Sequence, residues 1–330
     1  MPPPARLQLA CRKERWALQQ PFRFAGYEIA ASEVVTVSLL RGTVIGRGEA
    51  TGVIYRGETT DSICAQIEAT AGALERGADR TRLLDLLPPG GARNAVDCAL
   101  WDLECKERGQ TIWQRLSLIP KPLATAVTVG LEPIDSAVAH ARNLANWPLL
   151  KVKVDRCDPL GRLRAIRSAR PDARLIIDAN QSWDFATLAS CAGPLDDLGV
   201  EMIEQPLPSG EDEALESFAC PIPLCADESC FVASELKDLA SRYAMINIKL
   251  DKCGGLTEAL RMVRVAQTCG LTLMVGNMIG TSLSMAPSFV VGQFCALADL
   301  DGPLALIADR RDGLAYRDGK VWPPLPELWG

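Results

Sequence analysis

Residues 149–155 read LLKVKVD, with Lys151 and Lys153 set two apart in a run of leucine and valine. In a strand, side chains two apart share a face, so both ammonium groups go to the same side. The valines and leucines around them predict that the other side is buried. An edge strand with two surface lysines is the alternative, and the apolar flanks disfavour it.

The surrounding pattern decides the architecture. Strand-like segments begin near Thr125 (TAVTVG), Leu149 (LLKVKV), Arg174 (RLIID), Val200 (VEMIE), Ile222 (IPLCAD), Met245 (MINIKL), Thr272 (TLMVG) and Cys295 (CALAD), at intervals of 22 to 27 residues. Helical stretches such as PLGRLRAIRSAR and LTEALRMVRVAQTCG lie between them. Strand and helix alternating at this interval make βα units, and about eight units close a barrel. An open doubly wound sheet usually carries a Gly-rich phosphate fingerprint after its first strand, which TVGLEPIDS lacks. Residues 121–308 are therefore expected to form the barrel. Before it, residues 1–120 mix a hairpin (EVVTVSLL, a turn at Arg41-Gly42, then TVIGRGEAT) with helices over SICAQIEATAGALER and GARNAVDCALWDLECKERG, an α+β module. Residues 309–330, ending VWPPLPELWG, are expected to pack on that module.

Composition excludes several classes. A net charge of -6 with no basic stripe disfavours nucleic acid. No apolar run approaches a membrane span and MPPPARLQLA lacks a signal-peptide core, so no membrane partner and a cytoplasmic location are expected. The 12 cysteines are scattered without a C-x-x-C pair and are expected to be small buried apolar residues. His140 is the sole histidine. It is expected at the surface, and its count of one excludes a Ser-His-Asp triad or a multi-histidine metal site.

Chemistry is expected at the carboxyl ends of the barrel strands. The third ends in LIIDAN at Asp178, the fourth in MIEQP at Glu204, the fifth in CADES at Asp227. Three acids on consecutive strands could be helix caps or a salt-bridge network, but their common position predicts a shared cation. Hard oxygen donors point to Mg²⁺, one per subunit. Lys151 and Lys153 end the second strand and Lys249 the sixth, which face each other in an eight-stranded barrel. An amine on each side of a metal suits removal of a proton α to a carboxylate from one face and its return to the other. Lys151 is expected to favour the neutral amine of Lys153 and to polarise the substrate carboxylate.

These segments, LLKVKVD, LIIDANQSWD, EMIEQPLP, PLCADES and INIKLDKCGGLTEAL, resemble the muconate-lactonising subgroup of the enolase superfamily, in order and spacing along essentially the whole chain. RNAVDCALWDLECK, VGNMIGTSLSMAP and ALADLDGPLAL are similar to the dipeptide epimerases of the L-Ala-D/L-Glu type. The resemblance implies an α/β fold, a (β/α)7β TIM-like barrel with an N-terminal α+β capping domain. It implies Asp178, Glu204 and Asp227 as metal ligands, Lys153 and Lys249 as acid/base residues and Lys151 as their electrostatic partner. It further implies a small-molecule dipeptide substrate, with Asp299 and Asp301 binding its α-ammonium and Thr128 also among the substrate-binding residues. A role in recycling peptidoglycan peptides follows from the resemblance alone, and a homo-oligomer is left open. Such epimerases carry a capping-loop arginine that pairs with the substrate glutamate, and PFRFAGYEIAASE has Gly26 there. Tyr27 and Glu28 occupy the loop instead, an acid that could favour a neutral or cationic second residue. N-acylamino-acid racemase, a lactonising or dehydrating enzyme, and a non-catalytic binding barrel are the alternatives.

Overall fold

The computed structural model describes residues 6–24 and 26–330. Its first sheet is antiparallel, ordered β1 (Gln8–Phe24), β2 (Tyr27–Arg41), β3 (Val44–Ala50). The turn at Arg41-Gly42 joins β2 to β3 as the sequence predicts. β1 is an unanticipated strand, with a register break between Ala17 and Phe22 next to Pro21. Four helices follow: α1 (Thr60–Glu75), α2 (Arg80–Leu86), α3 (Gly91–Arg108) and α4 (Ile112–Leu116). Val35, Val37 and Leu39 of β2 alternate onto the core shared with Ile63, Ile67 and Leu74 of α1 and Ala95, Ala99 and Leu103 of α3. Gly48 lets β3 lie against α3, for a Cβ there would stand 2.1 Å from the Ala95 carbonyl oxygen.

A short strand, β4 (Leu123–Ala124), leads into eight parallel strands in sequential order. They are β5 (Val127–Val129), β6 (Leu149–Lys153), β7 (Arg174–Asp178), β8 (Val200–Glu204), β9 (Leu224–Ala226), β10 (Met245–Ile248), β11 (Thr272–Val275) and β12 (Leu297–Ala298). The ends meet: Thr125 bridges Ala298, and the Ala126 N–H donates to the Ala298 carbonyl at 2.7 Å. The barrel and the separate N-terminal sheet match the predicted architecture. α5 (Ile134–Asn143), α6 (Pro159–Ala169), α7 (Phe185–Asp197), α8 (Leu236–Leu239), α9 (Leu250–Cys253), α10 (Leu256–Cys269) and α11 (Ser282–Gly292) surround it. The β8–β9 connection carries only a 3-10 turn, Glu213–Ser217.

Period-2 alternation builds the interior. Leu150 and Val152 of β6, with Val154 just past it, pack with the outer helices. Leu149 joins Ala126, Ile176, Met202, Cys225, Met245, Met274 and Leu297 in an apolar layer inside the barrel. Lys151 and Lys153 lie on the Leu149 face, farther toward the carboxyl end. All five residues of β6 are buried.

The N-terminal module is bonded to the barrel at several points. The Asp251 carboxylate accepts the Thr51 and Gly52 N–H groups, and Asp97 accepts the N–H and hydroxyl of Thr257. Arg93 donates to the carbonyls of Cys253 and Gly254. Gly254 is essential to that approach: at φ +79°, a Cβ would meet the Arg93 Nε at 2.3 Å. After residue 308 the chain forms β13 (Tyr316–Arg317) and β14 (Lys320–Val321), β14 pairing with β4. The last residues reach the first module: Trp329 Nε1 donates to the Cys98 carbonyl and the Gly330 N–H to Asp102. All 12 cysteines are unbridged, Cys157 alone being exposed; the Cys11 and Cys64 sulfurs touch at 3.0 Å. No helix among the described residues is long and apolar enough to cross a membrane.

Candidate active site

The carboxyl ends of the strands open into a cavity of about 1310 Å³ roofed by the β1–β2 hairpin and the 51–60 loop. Lys151, Lys153, Asp227, Lys249, Asp299, Asp301 and Thr128 line it together. Lys153 and Lys249 thus reach one cavity from β6 and the β10 end.

Each predicted acid meets an amine. Lys151 Nζ lies 3.0 Å from Asp178 Oδ2, 2.8 Å from Glu204 Oε2 and 2.9 Å from Asp299 Oδ2. Lys153 Nζ donates to Asp178 Oδ2 at 2.7 Å and to Asn180 Oδ1 at 2.8 Å. Lys249 Nζ donates to Asp227 Oδ2 at 2.7 Å. Lys252, which the sequence reading passed over, is buried and donates to both the Asp227 carboxylate and its carbonyl. Asp301 Oδ2 accepts the Thr128 N–H at 2.8 Å, joining the β12 end to β5.

Electrostatics separates the acids. Burial pushes the Asp178 carboxyl up, but Lys151, Lys153 and Lys249 outweigh it and hold it at about 2. Asp227 is likewise held far below the carboxylate range by Lys249 and Lys252 against burial. Burial, then the Asp178 charge, lifts Glu204 to about 7. Burial, then Asp227 and Asp178, lifts Glu228 to about 8. Burial disfavours the Lys151 ammonium, yet Asp178, Asp299 and Glu204 hold its pKa well above the usual value.

Among the described residues, no three His, Cys, Asp or Glu side chains stand together at metal-binding spacing. Amines stand between the acids instead. If all were ionised, Asp178, Glu204, Asp227, Glu228, Asp299 and Asp301 would outnumber Lys151, Lys153, Lys249 and Lys252 by two, and after burial it is this crowding of acids that raises the Glu204 and Glu228 carboxyls. Glu204 Oε2 is near Lys151 but out of hydrogen-bond alignment, and Glu228 Oε2 is also unbonded. A buried all-oxygen donor set short of two positive charges fits one hard divalent cation.

The backbone past the acids is strained. Asn180 (φ 42°), Gln181 (φ 66°) and Gln205 (φ 33°) adopt positive φ without being glycine. Gln205 compensates with a filled network: its oxygen accepts the Asp227 and Ser229 N–H groups, and its nitrogen donates to Leu207, Ser229 and Tyr243. It ties the β8 end to the β9 end.

The roof differs from the expectation. Tyr27 lines the cavity and stacks on Phe24, ring centroids 5.5 Å apart. Glu28 is outside the lining; its carboxylate pairs with Arg23 at 2.7 Å across the hairpin. His140 is half-buried, not a plain surface residue, and its Nδ1 lies 2.9 Å from Glu132 Oε1. Phe24, whose ring centroid is 5.8 Å from Lys153 Nζ, and Tyr55 were also missed. Asn180 and Asn247 carried a signal, since each is two residues from a selected group and so shares its face.

An α+β roof over a barrel rimmed by acids and opposed amines defines an isomerase-type member of the enolase superfamily. Residues 6–117 match the "Mandelate racemase / muconate lactonizing enzyme, N-terminal domain" family and residues 136–326 the "Enolase C-terminal domain-like" family. The chain belongs to the mandelate racemase/muconate lactonizing enzyme family and groups with its epimerases. It is 43% identical to L-Ala-D/L-Glu epimerase of Escherichia coli K12, over 94% of this chain and 97% of that one. It is 42% identical to N-acetyl-D-glutamate racemase of a Pseudoalteromonas species, over 77% and 81%. An enolase family member from Agrobacterium tumefaciens with homology to dipeptide epimerases, solved with sodium and L-Ala-L-Glu, superposes with a TM-score of 0.96 at 44% identity, over 98% and 100%. A dipeptide epimerase from Methylococcus capsulatus, solved with Mg and L-Arg-D-Lys, gives 0.91 at 30%, over 99% of each chain.

Proposed function

We propose that the protein is a Mg²⁺-dependent dipeptide epimerase that inverts the α-carbon of the C-terminal residue, with L-Ala-D/L-Glu the favoured substrate class. The observation that carries this reading is the opposed pair Lys153 and Lys249 lining one cavity over buried acids. The relatives named for L-Ala-D/L-Glu and N-acetyl-D-glutamate support an acidic second residue. Asp178, Glu204 and Asp227 would hold the ion, which when bound offsets the charge gained by the substrate carboxylate. One lysine takes the α-proton, leaving an enediolate, and the other lysine returns a proton to the opposite face. Asp299 and Asp301 receive the dipeptide ammonium, and their paired charge favours a free amine over an acylated one.

The similarity to N-acetyl-D-glutamate racemase keeps N-acylamino-acid racemisation as the second reading. Incubation with L,L-dipeptides and N-acylamino acids in D₂O and Mg²⁺ tests both. Gain of one deuterium at the C-terminal α-carbon of L-Ala-L-Glu is expected. Labelling of N-acetylglutamate alone would favour the rival, and no labelling in any substrate would favour a binding protein.

A further inference from the structure

Tyr55 is the roof residue whose polar atom is least accounted for. It lies in the 3-10 turn Ile54–Arg56, between two anchors. On one side Asp251 Oδ1 accepts the Thr51 and Gly52 N–H groups at 3.0 and 3.1 Å. On the other, the Glu58 carboxylate accepts the N–H groups of Val53 and Gly91. Arg56 is held over the Phe231 ring, 3.4 Å from its centroid. The turn is thus fixed at both ends, and Tyr55 hangs from it into the cavity wall.

Its hydroxyl is buried and bonds to nothing among the described residues. A buried phenol without a partner is unfavourable until one arrives. Burial, then the charges of Asp227 and Glu228, holds its proton far more tightly than usual, against the opposing charge of Arg56. The anchors set the turn over the ends of β9 and β10: Arg56 lies on Phe231, whose ring centroid is also 5.6 Å from the Nζ of Lys252, the partner of Asp227, and Tyr55 lines the cavity with Asp227 and Glu228. The hydroxyl acts as a donor and never as a base.

We propose that the Tyr55 hydroxyl is a further catalytic group, donating a hydrogen bond to the α-carboxylate of the bound dipeptide. This rests on the epimerase reading. Loss of the α-proton to a lysine moves the C–H electron pair into the carboxylate, which gains a second negative charge. A fixed donor aimed there binds the enediolate more strongly than the substrate, so it lowers the barrier.

The test is Tyr55→Phe in the full chain with Mg²⁺, assayed on L-Ala-L-Glu and on a second dipeptide with an apolar C-terminal residue that the wild type turns over. We expect kcat to fall about 100-fold on both, with KM within about threefold. Deuterium incorporation should fall with kcat. Calorimetric Mg²⁺ affinity should hold and the thermal midpoint should not fall, since the oxygen removed bonds no protein group. Unchanged kcat overturns the proposal. So does a KM effect confined to L-Ala-L-Glu, which would place the hydroxyl on the second side chain. An unaffected variant of an active wild type removes this inference alone, whereas a wild type that labels no dipeptide removes the epimerase reading and this inference with it.

Discussion

Lys153 and Asp178 are register partners on adjacent parallel strands, and the lysine Nζ stands 2.7 Å from Asp178 Oδ2. Lys249 and Asp227, each one residue past its strand and not register partners, make a like contact on the far side of the barrel, also at 2.7 Å. Each proposed base is therefore seated against one proposed metal ligand, so proton transfer and carboxylate activation share the same rim.

Separate lysines on separate faces predict separable chemistry. Lys153→Ala and Lys249→Ala should each lower epimerisation by about 10³-fold or more. Each should still exchange the α-proton of one stereoisomer with solvent, and the two variants should retain opposite hands. NMR in D₂O with L-Ala-L-Glu and L-Ala-D-Glu reads this. Exchange of both isomers at wild-type rates by either variant would end the two-base mechanism.

Asp299 holds Lys151 as well as lining the cavity, whereas Asp301 is bonded to the Thr128 N–H. An asparagine at 301 can still accept that N–H, so Asp301→Asn removes charge with little change in shape. KM for L-Ala-L-Glu should rise about tenfold with kcat changed less, and discrimination against N-acetyl-L-glutamate should shrink. Steady-state kinetics on the two substrates decides it.

Glu28 pairs with Arg23, the cation nearest the hairpin tip. Glu28→Gln should leave Arg23 free to meet an acidic second residue, raising kcat/KM for L-Ala-L-Glu relative to an apolar dipeptide about threefold to tenfold. Both partners are half-exposed, so stability should change little. An unchanged ratio would show that Arg23 does not reach the substrate.

Asp97 links α3 to α10 through Thr257, and burial, against those hydrogen bonds, lifts its carboxyl to about 6. The folded chain then holds a proton that the unfolded chain has released at about pH 4. This contribution is fully present below that pH and is lost as pH rises through about 6, roughly 3 kcal/mol in all. Asp97→Asn should flatten the fall in stability over that window, as followed by urea midpoints.

The barrel and its rim acids were legible because both depend on local repetition. A strand and helix recur at near-constant interval, and Asp178, Glu204 and Asp227 each close a strand. The roof was not. β1 is mostly solvent-exposed, so KERWALQQ carries no alternation of apolar residues to mark it. Tyr55 sits in TGVIYRGE, which reads as an unremarkable turn until Asp251, some 200 residues later, fixes it over the cavity. Lys252 lies one helical turn past Lys249, where sequence alone predicts a solvent-facing charge. The Arg23–Glu28 contact is a product of hairpin register, which the break at Ala17/Phe22 resets.

The barrel circle is completed by few bonds: the Thr125–Ala298 bridge, the Ala126 N–H, and Asp301 reaching Thr128. A dipeptide amine gripped by Asp299 and Asp301 would brace the end of the last stave, which Asp301 ties to the first through Thr128. Ligand occupancy and the integrity of the cylinder are then one quantity, and slackening that joint should blunt recognition well before the protein unfolds.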